Sequence, residues 1–174
     1  DRRQRQMCIR DSKNDGYEEW YFVVWFMTAT GARVSELLQI KAEHITAGHL
    51  DIYTKGGKIR RLYIPQILKN EAVVWLRSKG ISSGYIFLNR FGKRITTRGI
   101  AQQLKHFADK YGLKREVVYP HSFRHRFAKN FLDRFNDIAL LADLMGHESI
   151  ETTRIYLRRT ATEQRAIVDK VVTW

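Results

Sequence analysis

Cysteine is nearly absent from this sequence: Cys8 stands alone, so the chain holds no partner for a disulfide and no Cys pair to hold a metal. Proline occurs only at Pro65 and Pro120, and each marks the edge of an element. Long apolar runs are missing as well. The longest, WYFVVWFM at 20 to 27, falls far short of the roughly 20 residues that cross a bilayer, which excludes a membrane span. No charged segment, apolar segment and small-residue cleavage site follow one another at the start, so a cytoplasmic protein is expected. Acid is the last shortage. Against 31 Lys and Arg stand 18 Asp and Glu, a formal net charge of +13, and an excess of that size favours a polyanionic partner and salt-sensitive binding.

What is present is enough for one domain. The 174 residues are 44% hydrophobic and 12% aromatic, sufficient for a single core. The opening DRRQRQMCIRDSKNDG carries five basic residues and little apolar content, and residues 1–16 read as a solvated basic arm or the remnant of a linker. From Tyr17 to Thr28 an apolar stretch without a polar face predicts a buried helix ending near Gly31. VSELLQIKAEHI then predicts one amphipathic helix over 34–45. HLDIYT and KIRRLYI, joined across Gly56 and Gly57, predict a hairpin over 49–64 that Pro65 closes. Further helices are expected at about 67–78, 98–111, 122–134, 138–145, 150–158 and 161–171. Thr97, Asn136 or Asp137, Ser149, and Thr160 with Glu163 are the expected start signals. The expected fold class is mixed α/β, predominantly helical with a small antiparallel β-sheet.

Four constellations carry potential chemistry. HSFRHRFAKNFL (121–132) opens a helix after Tyr119-Pro120, which puts His121 and Arg124 near a helix N-terminus, where an anion is favoured. Phe123, Phe127 and Phe131 form the opposite stripe, most simply core. A basic helix against solvent would look the same, so the other constellations decide. LMGHESIETTRIY places Tyr156 nine positions after His147, which follows Gly146. TGARVSEL places Arg33 at the start of a helix, and TKGGK places Lys55 at the hairpin turn, with Lys58 as a competing lysine.

Together these residues resemble the tyrosine recombinase family, the phage integrases and their chromosomal dimer-resolution relatives. The pattern Gly-x-Arg-x-x-Glu-Leu stands at Gly31, Arg33, Glu36 and Leu37; the hairpin lysine is Lys55; His-x-x-Arg is His121 and Arg124; and Gly-His with its tyrosine nine residues on is Gly146, His147 and Tyr156. The likeness spans roughly residues 17 to 172. It implies the family's catalytic-domain fold over 17–174, with the separate N-terminal core-binding domain absent. It also implies DNA strand cleavage and rejoining through a 3′-phosphotyrosyl link. In that chemistry Tyr156 is the nucleophile, His121 its base, Arg33 and Arg124 the grip on the phosphate, His147 a further donor, and Lys55 the acid for the leaving 5′-hydroxyl. A phenol is ionised to only about one part in a thousand at neutral pH, so such help is chemically necessary. Lys58, Arg60, Arg61, Lys93, Arg94 and Arg98 are expected to touch the DNA backbone. Double-stranded DNA, a tetramer assembled on it through the segment after Thr160, and accessory directionality factors are the expected partners; no cofactor, metal or membrane is. The expected task is integration or excision of a mobile element, with dimer resolution the alternative.

Three other readings compete. His121 and His125 are four apart, but no Glu follows as in HExxH, so zinc is not expected and His125 is assigned to packing or a structural hydrogen bond. The scattered carboxylates, Asp133 and Asp137 among them, do not form the cluster a two-metal nuclease needs, so a metal-independent mechanism is expected. DIALLADLMGHESIETTRIYL alone reads as a helix-turn-helix DNA-binding unit without catalysis, which leaves Arg33, Lys55 and Arg124 unexplained.

Overall fold

The computed structural model describes residues 17–53, 56–147, 149–157 and 159–173. The basic arm, residues 1–16, and Lys55 lie outside the described residues. Helix α1 (Glu18–Thr30) is apolar on most of its circumference, and Phe22, Val23, Val24, Phe26 and Met27 are all buried. Burial on several sides is what such a helix requires. Phe22 stacks on Trp75 with ring centroids 4.5 Å apart, and Phe26 meets Phe87 edge-on at 5.5 Å. The helix stops at Gly31, whose φ of +66° is the left-handed geometry that glycine adopts without steric cost.

The single helix expected over 34–45 is in fact two, α2 (Val34–Leu37) and α3 (Ala42–Ala47). The break has a tertiary cause. Between them the backbone turns outward to pair with residues far along the chain: the Ala42 amide donates to the Gly84 carbonyl at 2.9 Å and the Ile86 amide to the Ile40 carbonyl at 3.3 Å, with Lys41 bridged to Tyr85. These bonds satisfy groups that a continuous helix would have satisfied internally, and they let Ile40 become fully buried.

Strands β1 (His49–Tyr53) and β2 (Ile59–Tyr63) pair antiparallel, with Leu50 opposite Leu62 and Ile52 opposite Arg60. Period-two alternation puts Leu50, Ile52, Arg60 and Leu62 on the buried face. Tyr53, Ile59 and Tyr63 stand exposed on the other. Helix α4 (Gln66–Ser78) follows Pro65 and buries Leu68, Ala72, Trp75 and Leu76. A small loop the sequence reading missed comes next: Leu88 bridges Arg94, and the Asn89 side chain accepts from the amides of Phe91 and Lys93 at 2.9 and 3.1 Å. Helix α5 (Thr97–Lys110) is capped by Thr96, one residue before the expected start, whose hydroxyl accepts from the Gly99 amide at 3.0 Å. Helix α6 (Pro120–Arg134) has proline in its first position, where the missing N–H costs no hydrogen bond.

The chain forms two compact units, one ending at Ala128 and one beginning at Lys129. The first holds the core of α1 to α5 and the sheet. In the second, α7 (Ile138–Met145) and α8 (Ile150–Arg154) pack together, with Leu141, Ala142, Met145 and Thr153 buried. Asp137, Ser149 and Thr160 cap α7, α8 and α9 (Ala161–Val171) with their side chains. Helix α9 is exposed along its whole length. Among the described residues the fold is mixed α/β, mostly helical with one two-stranded antiparallel sheet, as the pattern implies. No helix among them is long and apolar enough to cross a membrane.

Gly31 gives a direct test of this frame. A Cβ there would sit 2.5 Å from Cδ1 of Phe127, in addition to the left-handed backbone cost. Gly31→Ala is expected to lower stability by about 3 kcal/mol in urea unfolding. Adding Phe127→Leu should recover the steric part and leave the backbone part. An unchanged midpoint for Gly31→Ala would rule out this packing.

Candidate active site

The turn from Thr30 to Arg33 is where the first unit collects its charge. The Thr30 hydroxyl donates to the Phe26 carbonyl at 2.6 Å and accepts from the Ala32 amide at 3.2 Å, which tethers the turn to α1. Arg124, 6% exposed, donates from Nη1 to the Gly31 carbonyl. That bond brings the arginine of the His-x-x-Arg pair to the chain two residues from Arg33. His121, one helical turn earlier on α6, is exposed, as is His125. Among the described residues no three His, Cys, Asp or Glu side chains converge.

Arg33 opens α2, and Glu36 on the same turn reaches back to it twice: Oε2 accepts from the Arg33 amide at 2.8 Å and Oε1 from Arg33 Nη1 at 3.0 Å. The first contact is the carboxylate half of a capping box. Glu36 Oε1 also pairs with Nη2 of Arg60. The Arg33 side chain remains 42% exposed while those of Glu36 and Arg60 are 6% exposed. Glu36 was visible in the sequence only as part of a motif, and its place as the hub of two arginines is a finding of the structure.

The expected DNA-backbone cations divide accordingly. Arg60 is a correction: it is buried against Glu36 and does not face solvent, because it shares its side of β2 with Leu62. Arg61 points the other way and clasps Asp51 across the sheet, with Nε to Oδ1 at 2.8 Å and Nη2 to Oδ2 at 3.0 Å, and this pair holds the Asp51 carboxyl below its usual range. Lys58 is exposed beside the Gly56-Gly57 turn. Lys93 and Arg94 are exposed at the Asn89 loop, Arg94 lying over the Tyr85 ring at 4.6 Å, and Arg98 is exposed in the first turn of α5. With Arg90 they make a short stretch of closely spaced cations.

His147 and Tyr156 belong to the second unit. Gly146, with φ +64°, ends α7 and releases His147, whose Nδ1 lies 2.7 Å from the Thr153 hydroxyl. Thr153 is fully buried on α8, so the imidazole is oriented by a rigid partner. Nothing in the sequence singled out Thr153. Tyr156 follows in a 3-10 turn, Ile155–Leu157, and is half-buried.

The Phage integrase family model matches residues 6–163 of this chain. The chain is similar to the tyrosine recombinase XerA of Pyrococcus furiosus, 37% identical over 154 residues, 85% of this chain and 53% of the relative. It is likewise similar to the tyrosine recombinase XerC of Pseudomonas entomophila, 32% identical over 149 residues, covering 81% and 48%. The chain thus spans about half the length of these curated relatives. Among solved structures, a Tn1549 transposon integrase in complex with transposon right end DNA shares the fold, with a TM-score of 0.78 at 18% identity over 98% of this chain and 64% of that one.

The Glu36 hub has a pH signature. Burial pushes the carboxyl up, but the hydrogen bonds from Arg60 and the Arg33 backbone, with both guanidinium charges, carry it below the ordinary glutamate value. A depressed folded pKa stabilises above the unfolded value of about 4.3, and the contribution is lost as pH falls through the folded value. Glu36→Gln should therefore be less stable than wild type by roughly 3 kcal/mol at pH 7. The gap should close on acidification below about pH 4. Urea unfolding at both pH values measures it; a gap independent of pH would mean the charge of Glu36 contributes nothing.

Proposed function

Since the chain belongs to the phage integrase family of tyrosine recombinases, we propose that it catalyses site-specific cleavage and rejoining of DNA strands through a 3′-phosphotyrosyl intermediate. The observation that carries the proposal is the approach of Arg124 to the Gly31 carbonyl, which sets the two arginines of separate motifs at one turn. In this reading Tyr156 attacks the scissile phosphate and His121 accepts its proton. Arg33 and Arg124 neutralise the charge that builds on the non-bridging oxygens, the place where fixed cations lower a barrier most. Arginine suits that work because its planar fork donates two hydrogen bonds to one phosphate. His147, oriented by Thr153, donates a further bond. Lys55, outside the described residues, protonates the departing 5′-oxygen. Lys58, Lys93, Arg94 and Arg98 supply backbone affinity without sequence information.

The biological task we assign is integration or excision of a mobile element, with accessory factors setting direction. The curated relatives named above are Xer recombinases, which favours chromosome dimer resolution as the second reading. Assembly is proposed as a tetramer on DNA, in which the segment from Thr160 to Trp174 docks on a neighbouring protomer through Ile167 and Val171, both exposed here, and through Trp174, which lies outside the described residues.

Covalent trapping tests the chemistry. Nicked duplexes from the flanks of the encoding element, incubated in EDTA, are expected to yield a denaturation-resistant adduct with wild type and none with Tyr156→Phe, while DNA binding persists. An adduct in that variant would remove Tyr156 as nucleophile. Lys55→Ala should slow cleavage of ordinary DNA and much less so cleavage of a 5′-thio substrate, whose leaving group needs no proton. For assembly, deletion of 160–174 should shift the DNA complex to lower mass in light scattering; an unchanged mass would sink the docking role of α9.

A further inference from the structure

Arg60 has no part in the chemistry above, yet it is the most demanding residue of the hairpin to place. It stands on the inner face of β2, beside Leu62 and opposite Ile52, at 7% exposure. A guanidinium there has given up nearly all its water, a cost that an aliphatic side chain of similar length would not carry. Its Nη2 pairs with the Glu36 oxygen Oε1, the same atom that receives Arg33 Nη1 at 3.0 Å, while Oε2 holds the Arg33 amide at 2.8 Å. One buried carboxylate thus serves two guanidinium groups, of which Arg60 is enclosed and Arg33 is turned toward solvent.

The geometry has a chemical consequence. Carboxylate and guanidinium prefer a two-point pair, in which two N–H groups of one arginine meet both oxygens. Glu36 alone with Arg33 would draw it into that arrangement and spend donors that a phosphate needs. A second cation against Oε1 lowers the pull of the carboxylate on Arg33. We infer that Arg60 is a positioning residue for the recombination reaction: seated on Glu36, it limits Arg33 to a one-point contact and keeps its other N–H donors directed at the scissile phosphate. The inference rests on the recombinase reading above and assigns Arg60 no contact with DNA.

The test is single-turnover adduct formation on a nicked duplex recovered from a randomised pool by covalent capture on the wild-type chain. Each variant is timed with a normal phosphate and with a 5′-bridging phosphorothiolate. Arg60→Met is expected to slow cleavage about 30-fold on both leaving groups, as loss of phosphate stabilisation does. Arg60→Lys should return to within about threefold of wild type, because the cation on Glu36 is restored. In an Arg33→Lys background Arg60→Met should cost no more than about twofold, since a residue acting through Arg33 has nothing left to act on. A merely structural role would leave the full defect in that background, and urea midpoints recorded in parallel report the stability of each variant. Should Arg60→Met fail to fold, Arg60→Gln, which keeps a polar side chain beside Glu36 without the charge, is read in the same way. A wild-type rate in Arg60→Met, a full defect beside Arg33→Lys, or relief by the thiolate would each overturn the inference, the last by moving the role to the hairpin acid. A wild-type chain that captures no duplex would overturn the recombinase reading and the inference with it.

Discussion

A single buried carboxylate organises the charged half of the first unit. Glu36 sits on a helix of four residues, far too short to be stable by its own hydrogen bonds. What holds that turn is the set of bonds around it: the reach of Glu36 back to the Arg33 amide, its pair with Arg60 on the neighbouring sheet, and the bond from Arg124 to Gly31. Each component is expensive to bury alone. Together they turn a segment that could have been a flexible loop into a fixed platform, and Arg33 stands at its edge.

The same logic explains why this part of the molecule tolerates little slack. Gly31 must take the left-handed conformation and must also lack a Cβ, because Phe127 lies against it. Small size at one position and charge at three others are therefore a single requirement, that α1, α2, β2 and the start of α6 meet at the turn. The second unit solves a smaller version of the problem. There His147 is released by Gly146 and oriented by the hydroxyl of Thr153, with helix caps at Asp137, Ser149 and Thr160 making each start local.

Locality also decides what could be read from residues alone. The caps at Asp137, Ser149 and Thr160, the glycine stop of α1 and the hairpin are encoded within a few positions of one another, and those expectations agree with the structure where it describes them, whereas the cap of α5 falls on Thr96, one residue before the expected Thr97. The break between α2 and α3 was not legible, because its cause is the pairing of 40–42 with 84–86, more than forty residues away. The Asn89 loop escaped notice for another reason: its two bridges are too short to leave an alternating pattern. Arg60 is the instructive miss. Composition groups it with Arg61 as one basic patch, whereas strand parity separates them and puts Arg60 on the side of Leu50 and Leu62. A reading that weighed parity above charge would have found it.

Helix α9 begins with a reciprocal cap, Thr160 and Glu163 each satisfying the other's backbone amide, at 3.2 and 2.6 Å. Its start signal is thus contained within four residues and borrows nothing from a core, while Ile167, Val168 and Val171 remain in water. Such an element is portable. Any surface that covers those side chains receives a helix whose first turn and register are already set, so part of the ordering entropy of association has been spent before the encounter.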